Sequence, residues 1–374
     1  MTQDHITNDI YLRLYGGSND SSVVLFFTAN RSIEIKAIKL ELGDTQTLAH
    51  QDANGNWVLN EIPNYQEQLF RCQTSKADSS DTYANKINTV NAPPPLYQYD
   101  GEDLTVKFAS EIAQYSDVCA WLKARLAAKN ISGIFVKDFF KFTTSNNVTF
   151  TARIADINHD LGSGDTEITK YHIDFICDEL WPDNHVWNKV NYNNGLAAEP
   201  SPWLCSDLYH FLNSLSGDVP NGTGADPATV AVDYTSTGVL DKFPAWLRGS
   251  IVERRSLEPT RYAAGALLTD DNSWAWKNIG KLWVPSEVEY YGFIAWGTRS
   301  GYSIGDNHMY SLMQDGKMRI KRKSDGSRHT LWLRRTHSGS STGATCCGAY
   351  GYASEGGCAS TLVVPPVCFR IMAN

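Results

Sequence analysis

The chain has 374 residues, 42% hydrophobic and 20% charged, an apolar share that excludes disorder as its main state. Its 33 Lys and Arg against 41 Asp and Glu leave a net charge of −8, which offers no electrostatic footprint for a nucleic-acid backbone. No apolar run reaches the ~20 residues of a bilayer-spanning helix, so neither nucleic-acid binding nor membrane insertion is expected.

The first nine residues have neither the basic start nor the apolar core of a secretory leader, and synthesis in a cytoplasm is expected. Short apolar runs at 11–14 and 23–27 and a loose alternation over 33–42 read as strands. Asp52-Ala53-Asn54-Gly55-Asn56 before Trp57-Val58-Leu59 reads as a hairpin turn. The sharpest break is Asn91-Ala92-Pro93-Pro94-Pro95, because three consecutive prolines favour a stiff, extended linker. The expected division is a small β-domain over 1–92, a linker over 93–100 and a second domain over 101–374. Of 11 Trp, only Trp57 precedes the break.

Beyond it, two helices are expected, over 103–115 and 116–129. The second has Ser116 as N-cap and Val118, Trp121, Leu122 and Leu126 on one face. Residues 131–136 and 139–143 are strand candidates. Strict alternation over 148–154 marks a half-buried strand, and 171–177 continues the strand character. Residues 202–215 and 243–252 read as amphipathic helices, and Ser286-Glu287-Val288-Glu289 matches a capping box. Helices come first and strands later, with no βαβ alternation, which favours an α+β fold over a doubly wound sheet.

Signatures of catalysis are weak. Gly339-Ser340-Ser341-Thr342-Gly343 has the spacing of a nucleophile elbow, but no apolar strand delivers it and no helix follows. His159 and His172 lie in an acidic segment, 156–178, without H-x-x-x-H spacing. They are expected to be solvent-facing or locally bonded, with no metal and no cofactor. Calcium-lectin chemistry is not indicated, since neither Glu199-Pro200-Ser201 nor Glu258-Pro259-Thr260 is followed by Asn. The basic run Lys317, Arg319, Lys321, Arg322, Lys323 and Arg328 reads as a solvated loop. The 8 Cys include no C-x-x-C pair. They are expected to be small apolar fillers, with vicinal Cys346-Cys347 as ordinary reduced thiols.

The informative stretch is residues 336–361. Of its 26 residues, 22 are Gly, Ser, Ala, Thr or Cys, and the others are His337, Tyr350, Tyr352 and Glu355. Leu331-Trp332-Leu333 and the apolar residues 362–369 bracket it. Such a segment between ordered strands reads as a surface region whose identity the core does not dictate, where function often resides. Every residue type in it except Glu is reachable from an Asn codon by changes at adenines.

The frame around this stretch resembles a known family. Trp274-Ala275-Trp276-Lys277-Asn278-Ile279-Gly280-Lys281-Leu282-Trp283-Val284-Pro285-Ser286-Glu287 carries the likeness. Tyr171-His172-Ile173-Asp174-Phe175-Ile176, Leu331-Trp332-Leu333 and Pro366-Val367-Cys368-Phe369-Arg370-Ile371 complete it. Together they are similar to the variable proteins of phage diversity-generating retroelements, which have a C-type lectin fold related to the formylglycine-generating-enzyme branch. The likeness spans roughly residue 103 onward, and Leu331 departs from it where a second aromatic often precedes the Trp.

The resemblance implies a fixed lectin-type scaffold displaying a diversified surface, here over about 331–364, that engages host-surface ligands. Carried over, the ligand-binding candidates are Arg335, Thr336, His337, Gly343, Ala344, Cys347, Gly348, Ala349, Tyr350, Tyr352, Ser354, Glu355, Ala359 and Thr361. Tyr291, Phe293, Ile294 and residues 304–308 are expected to share the surface. The further implications are a host protein or glycan as partner, attachment to a phage particle through the N-terminal domain, a homo-oligomer with a trimer preferred, and location in the virion after cytoplasmic assembly. No catalysis is expected. An enzyme of the formylglycine-generating type and a structural phage protein without a receptor role are the alternatives. At least three of Trp274, Trp276, Trp283, Trp296 and Trp332 are expected to be buried as scaffold.

Overall fold

In the computed structural model, the described residues are 99–298 and 308–373, with the backbone of two short strands near residues 50 and 58. Those strands, β1 (Ala49–Gln51) and β2 (Trp57–Leu59), pair antiparallel with Gln51 opposite Trp57, as the hairpin expectation requires. The expected strands at 11–14, 23–27 and 33–42 and the linker at 93–95 lie outside the described residues.

The segment expected as one helix over 103–115 forms two single turns, α1 (Leu104–Lys107) and α2 (Ala109–Ile112). Phe108 between them leaves helical geometry with φ −115° and ψ 29°. Helix α3 (Val118–Ala127) buries Val118, Trp121, Leu122 and Leu126, but its cap is Asp117 rather than Ser116. The Asp117 carboxylate accepts from the Ala120 N–H at 2.8 Å, while the Ser116 hydroxyl donates to Asp117. A carboxylate is the better partner for the positive end of a helix.

Residues 131–136 are not a strand. Gly133 turns the chain at φ +74°, and Ile134 and Val136 enter the core without a pairing partner. The strands that follow are β3 (Phe139–Thr143), β4 (Thr149–Ile157) and β5 (His172–Cys177). Helix α4 (Asp207–Asn213) is shorter than expected because Ser206 caps it. The ribbon β6 (Ser216–Pro220) and β7 (Thr229–Asp233) follows, then α5 (Val239–Lys242) and α6 (Ala245–Arg248). The expected helix over 243–252 is reduced to α6, between Pro244 at its N-cap and Gly249 at its C-cap. A second ribbon joins β8 (Arg255–Thr260) to β9 (Ser273–Asn278), and α7 (Glu287–Tyr291) opens on the capping box read from the sequence. Two 3-10 turns, Ser311–Gln314 and Gly316–Arg319, precede β10 (Leu331–Thr336), β11 (Gly343–Cys347), β12 (Ala353–Gly357) and β13 (Cys368–Met372).

These elements make an α+β fold dominated by antiparallel β-structure. The central sheet has the order β13-β5-β4-β3, and a second sheet has the order β10-β11-β12. Strand β5 is buried along its whole length, and Phe140, Phe142, Phe150, Phe175 and Phe369 from the central sheet meet in one aromatic cluster, with Phe175 and Phe369 stacked at 5.2 Å. Backbone bonds from Trp332 N–H to Val364 and between Trp283 and Cys368 tie the two sheets to shared segments. Among the described residues, no helix is long and apolar enough to cross a membrane.

The scaffold expectation for Trp is met by two residues, not three. Trp283 and Trp332 are fully buried, Trp274 and Trp276 are half-buried and Trp296 is exposed. Trp274 and Trp276 belong to a two-stranded ribbon, where fewer neighbours are available than inside a sheet. Trp121, Trp181, Trp187 and Trp203 supply the remaining buried indoles.

A chain of buried ions crosses the core. Arg370 bonds Asp174 at 2.6 and 2.8 Å and also reaches Asp160. Asp160 in turn holds Arg254 at 2.9 Å, and Arg254 pairs with Glu289 at 2.7 Å. Glu289 also accepts from Arg334 at 3.2 Å, and Glu258 binds Arg334 at 2.9 Å and Arg335 at 3.2 Å. Four guanidinium groups thus face four carboxylates. Burial opposes charge on Asp160, Asp174 and Glu289, yet the neighbouring arginines hold all three below the ordinary carboxylate range. Within the acidic segment 156–178, Asp160 and Asp174 are core residues, while 161–170 is mostly exposed.

Candidate functional site

The segment between β11 and β12 is a tight turn. The Gly351 N–H donates to the Gly348 carbonyl at 2.8 Å, and the Gly348 N–H donates to the Tyr352 carbonyl at 2.8 Å. Gly351 has φ +86°, a conformation that costs a residue with a Cβ. Ala349 and Tyr350 occupy the corner, leaving Tyr350 71% exposed. The Tyr352 ring, 58% exposed, lies against Gly348, where a Cβ would sit 2.4 Å from the ring.

Neighbouring segments extend this aromatic tip. The Tyr291 hydroxyl donates to the Tyr352 carbonyl at 3.1 Å, and the Tyr291 ring contacts exposed Phe293 at 5.8 Å. Arg328 lies 5.5 Å above the Tyr350 ring, and Arg319 lies 5.6 Å from Tyr291. Three exposed aromatic rings with a guanidinium beside them combine large contact area with few rotors, which suits recognition. Arg328 is exposed, as expected for its basic run. Lys321 from the same run is buried and pairs with Asp178 at 3.3 Å.

At the other end of β11, half-buried His337 meets the exposed Trp296 edge-to-face at 5.4 Å, and the Ser338 N–H donates to the Trp296 carbonyl. Ser354, Ala359 and Ile294 are half-buried, as is Ala349, whereas Glu355 and Thr361 are exposed. Residues 304–307 lie outside the described residues, and His308 is exposed beside His159.

Seven candidates are buried and do not present side chains to solvent: Arg335, Thr336, Gly343, Ala344, Cys347, Gly348 and Tyr291. Arg335 is drawn inward by Glu258 and covers Trp274 at 5.1 Å. The Thr336 hydroxyl accepts from Arg261 at 3.0 Å, and Ala344 is a core residue. A Cβ on Gly343 would approach the Glu355 carboxylate to 2.9 Å. Alternation along β10 and β11 does not expose one face, because both faces of these strands are covered.

The cysteines behave as fillers. All seven described ones are free and buried, Cys72 lying outside the described residues. Burial pushes the Cys347 thiol up to about 11 and the Cys346 thiol well above its ordinary value, so neither is a ready nucleophile. Alkylation at pH 8, mapped by mass spectrometry, is expected to leave these seven unmodified in the native protein and to label them in urea. Native labelling of Cys346 or Cys347 would contradict their burial. In the elbow-like segment, the Ser340 and Thr342 hydroxyls bond each other at 2.9 Å.

Both histidines of the acidic segment are buried, so the solvent-facing option fails for them and the locally bonded one holds. His172 accepts from the Asp160 N–H through Nε2 at 3.1 Å, and burial, helped by Arg370, pulls it down to about 4. His159 Nδ1 lies 2.8 Å from the Asp156 carboxylate. Burial opposes its charge, but Asp156 and Asp160 hold its pKa above the ordinary value. His308 packs on it with ring centroids 3.9 Å apart, and one ligand atom each from Asp156, His159 and His308 falls within a 4.8 Å span. The sequence reading missed this trio because His308 is remote from the Asp156-x-x-His159 pair. Comparison with family models, curated proteins and solved structures finds no match for this chain.

Proposed function

We propose that this chain is a ligand-binding protein that displays a variable surface on a C-type-lectin scaffold, in the manner of the variable proteins of phage diversity-generating retroelements. The observation that carries the reading is the exposed Tyr350–Tyr352 hairpin tip, flanked by Phe293 and Arg328 and set on a buried β-frame. The partner is a host cell-surface protein or glycan. The N-terminal region attaches the protein to the phage particle, and a homo-oligomer, trimeric by preference, multiplies weak contacts. The buried, high-pKa thiols speak against the formylglycine-generating alternative.

The test uses the labelled full chain on a panel of bacterial cells. The Tyr350→Ala/Tyr352→Ala variant is expected to lose binding at least tenfold, while its free energy of unfolding in urea stays within about 0.5 kcal/mol of the parent. Undiminished binding by this variant would remove the hairpin tip as the site. At the locus, a repeat of the 331–364 coding region differing at adenines, beside a reverse transcriptase gene, is the expected finding. Without that repeat the diversification claim fails, and absence of cell binding across the panel favours a structural phage protein.

A further inference from the structure

The Asp156–His159–His308 cluster lies outside the Tyr350–Tyr352 hairpin tip, and its construction points to a ligand. Strand β4 ends at Ile157, and Asn158, at φ +60°, folds the chain back so that His159 returns to Asp156. The Asp156 carboxylate also accepts from the Ser311 hydroxyl at 2.9 Å, which fixes it on the segment that carries His308. Tyr310 packs on the His159 ring at 4.5 Å. His159 is therefore held on several sides, with Nδ1 committed to Asp156. Its Nε2 is buried and has no hydrogen-bond partner among the described residues. An orphaned imidazole nitrogen in a protein core costs free energy unless a proton partner or a cation satisfies it.

We propose that this cluster binds one divalent first-row transition cation through the imidazoles of His159 and His308, with Asp156 orienting His159 through Nδ1. A carboxylate holding the second nitrogen of a ligating histidine is the usual outer partner of such metals, because it fixes the tautomer and raises ligand basicity. Two imidazole donors suit Zn²⁺ and its neighbours and disfavour Ca²⁺ and Mg²⁺, which take oxygen ligands. Nitrogen donors on a tetrahedral Zn²⁺ lie about 3.3 Å apart, given bonds of about 2.0–2.1 Å. One ligand atom from each of the three residues falls within 4.8 Å of the others, and the exposed His308 ring packs on His159 with centroids 3.9 Å apart, so binding requires His308 to turn until one of its nitrogens lies beside His159 Nε2. The cation would then join the end of β4 to the segment that leads into the 3-10 turns.

The test is titration of the chelator-stripped full chain with Zn²⁺ by calorimetry and with Co²⁺ by visible absorption. One equivalent is expected to bind and to raise the melting temperature. His308→Ala, at an exposed position, is expected to fold normally and to lose at least tenfold in affinity along with the thermal shift. Asp156→Asn is expected to weaken binding by 10–100-fold, the usual range for an outer partner. Absence of stoichiometric binding by the parent would overturn the proposal. So would binding unchanged in His308→Ala, or a thiolate-to-cobalt charge-transfer band assigning the ion to cysteines.

Discussion

Replacing Glu289 by Gln is expected to destabilise the protein by about 3–5 kcal/mol, the usual cost of removing one charge from a buried ion pair. Glu289 is fully buried and serves two arginines, Arg254 at 2.7 Å and Arg334 at 3.2 Å. It is also the third residue of α7, where its carboxylate accepts from the Ser286 N–H at 2.7 Å. Gln preserves volume and can complete a capping box, so the substitution removes charge and little else. Urea unfolding should show a lower midpoint at an unchanged slope. A loss below 1 kcal/mol would mean that the two guanidinium groups are compensated elsewhere.

The same network sets an acid limit. Asp160, Asp174 and Glu289 have folded-state pKa values below their ordinary ones of 3.8, 3.8 and 4.5. As pH falls, the unfolded chain takes up these protons first, so the stabilisation is complete above about pH 5 and is lost progressively below it. Urea midpoints should therefore be insensitive to these groups between pH 5 and 8 and should fall from pH 4.5 toward pH 3. Glu289→Gln should show a shallower acid decline.

Trp332→Ala is expected to cost about 3–5 kcal/mol, the range for deleting a buried indole. The side chain is fully buried, and its Nε1–H donates to the His185 carbonyl at 2.7 Å. Its ring backs onto Gly356 of β12, where an added Cβ would sit 3.6 Å from it and 3.3 Å from the Cys346 sulfur. Truncation leaves a cavity beneath the second sheet and removes the donor to the His185 carbonyl at once. Trp296→Ala, at an exposed indole, should stay within about 1 kcal/mol by the same urea assay.

Local rules that need few neighbours were legible in the sequence. Alternation over 148–154 marked β4, Ser286 and Glu289 marked the start of α7, and the apolar face of α3 was placed correctly. What escaped was long-range. Arg254, Arg334 and Arg370 have no local signal that distinguishes them from surface arginines, and their partners lie up to 210 residues away. The window 336–361 shows the same limit: its small residues read as a surface segment, yet much of β11 consists of small residues because it is packed on both sides. The two tyrosines were legible because large polar aromatics at a Gly-flanked corner have nowhere to bury.

The position of β13 bears on how the molecule is made. Its residues 368–372 pair with β5, nearly two hundred residues earlier, and Arg370 closes the ion pairs of Asp160 and Asp174. While translation is still short of residue 370, the central sheet lacks a strand and Asp174 lacks its ion-pair partner. A nascent chain can assemble its earlier helices and hairpins, but it cannot complete the core until that strand leaves the ribosome. Dependence on so distant a contact makes for slow folding and a long interval of exposed apolar surface. Closure of the central sheet is therefore expected to be a late step of folding, with chaperones most needed until β13 pairs with β5.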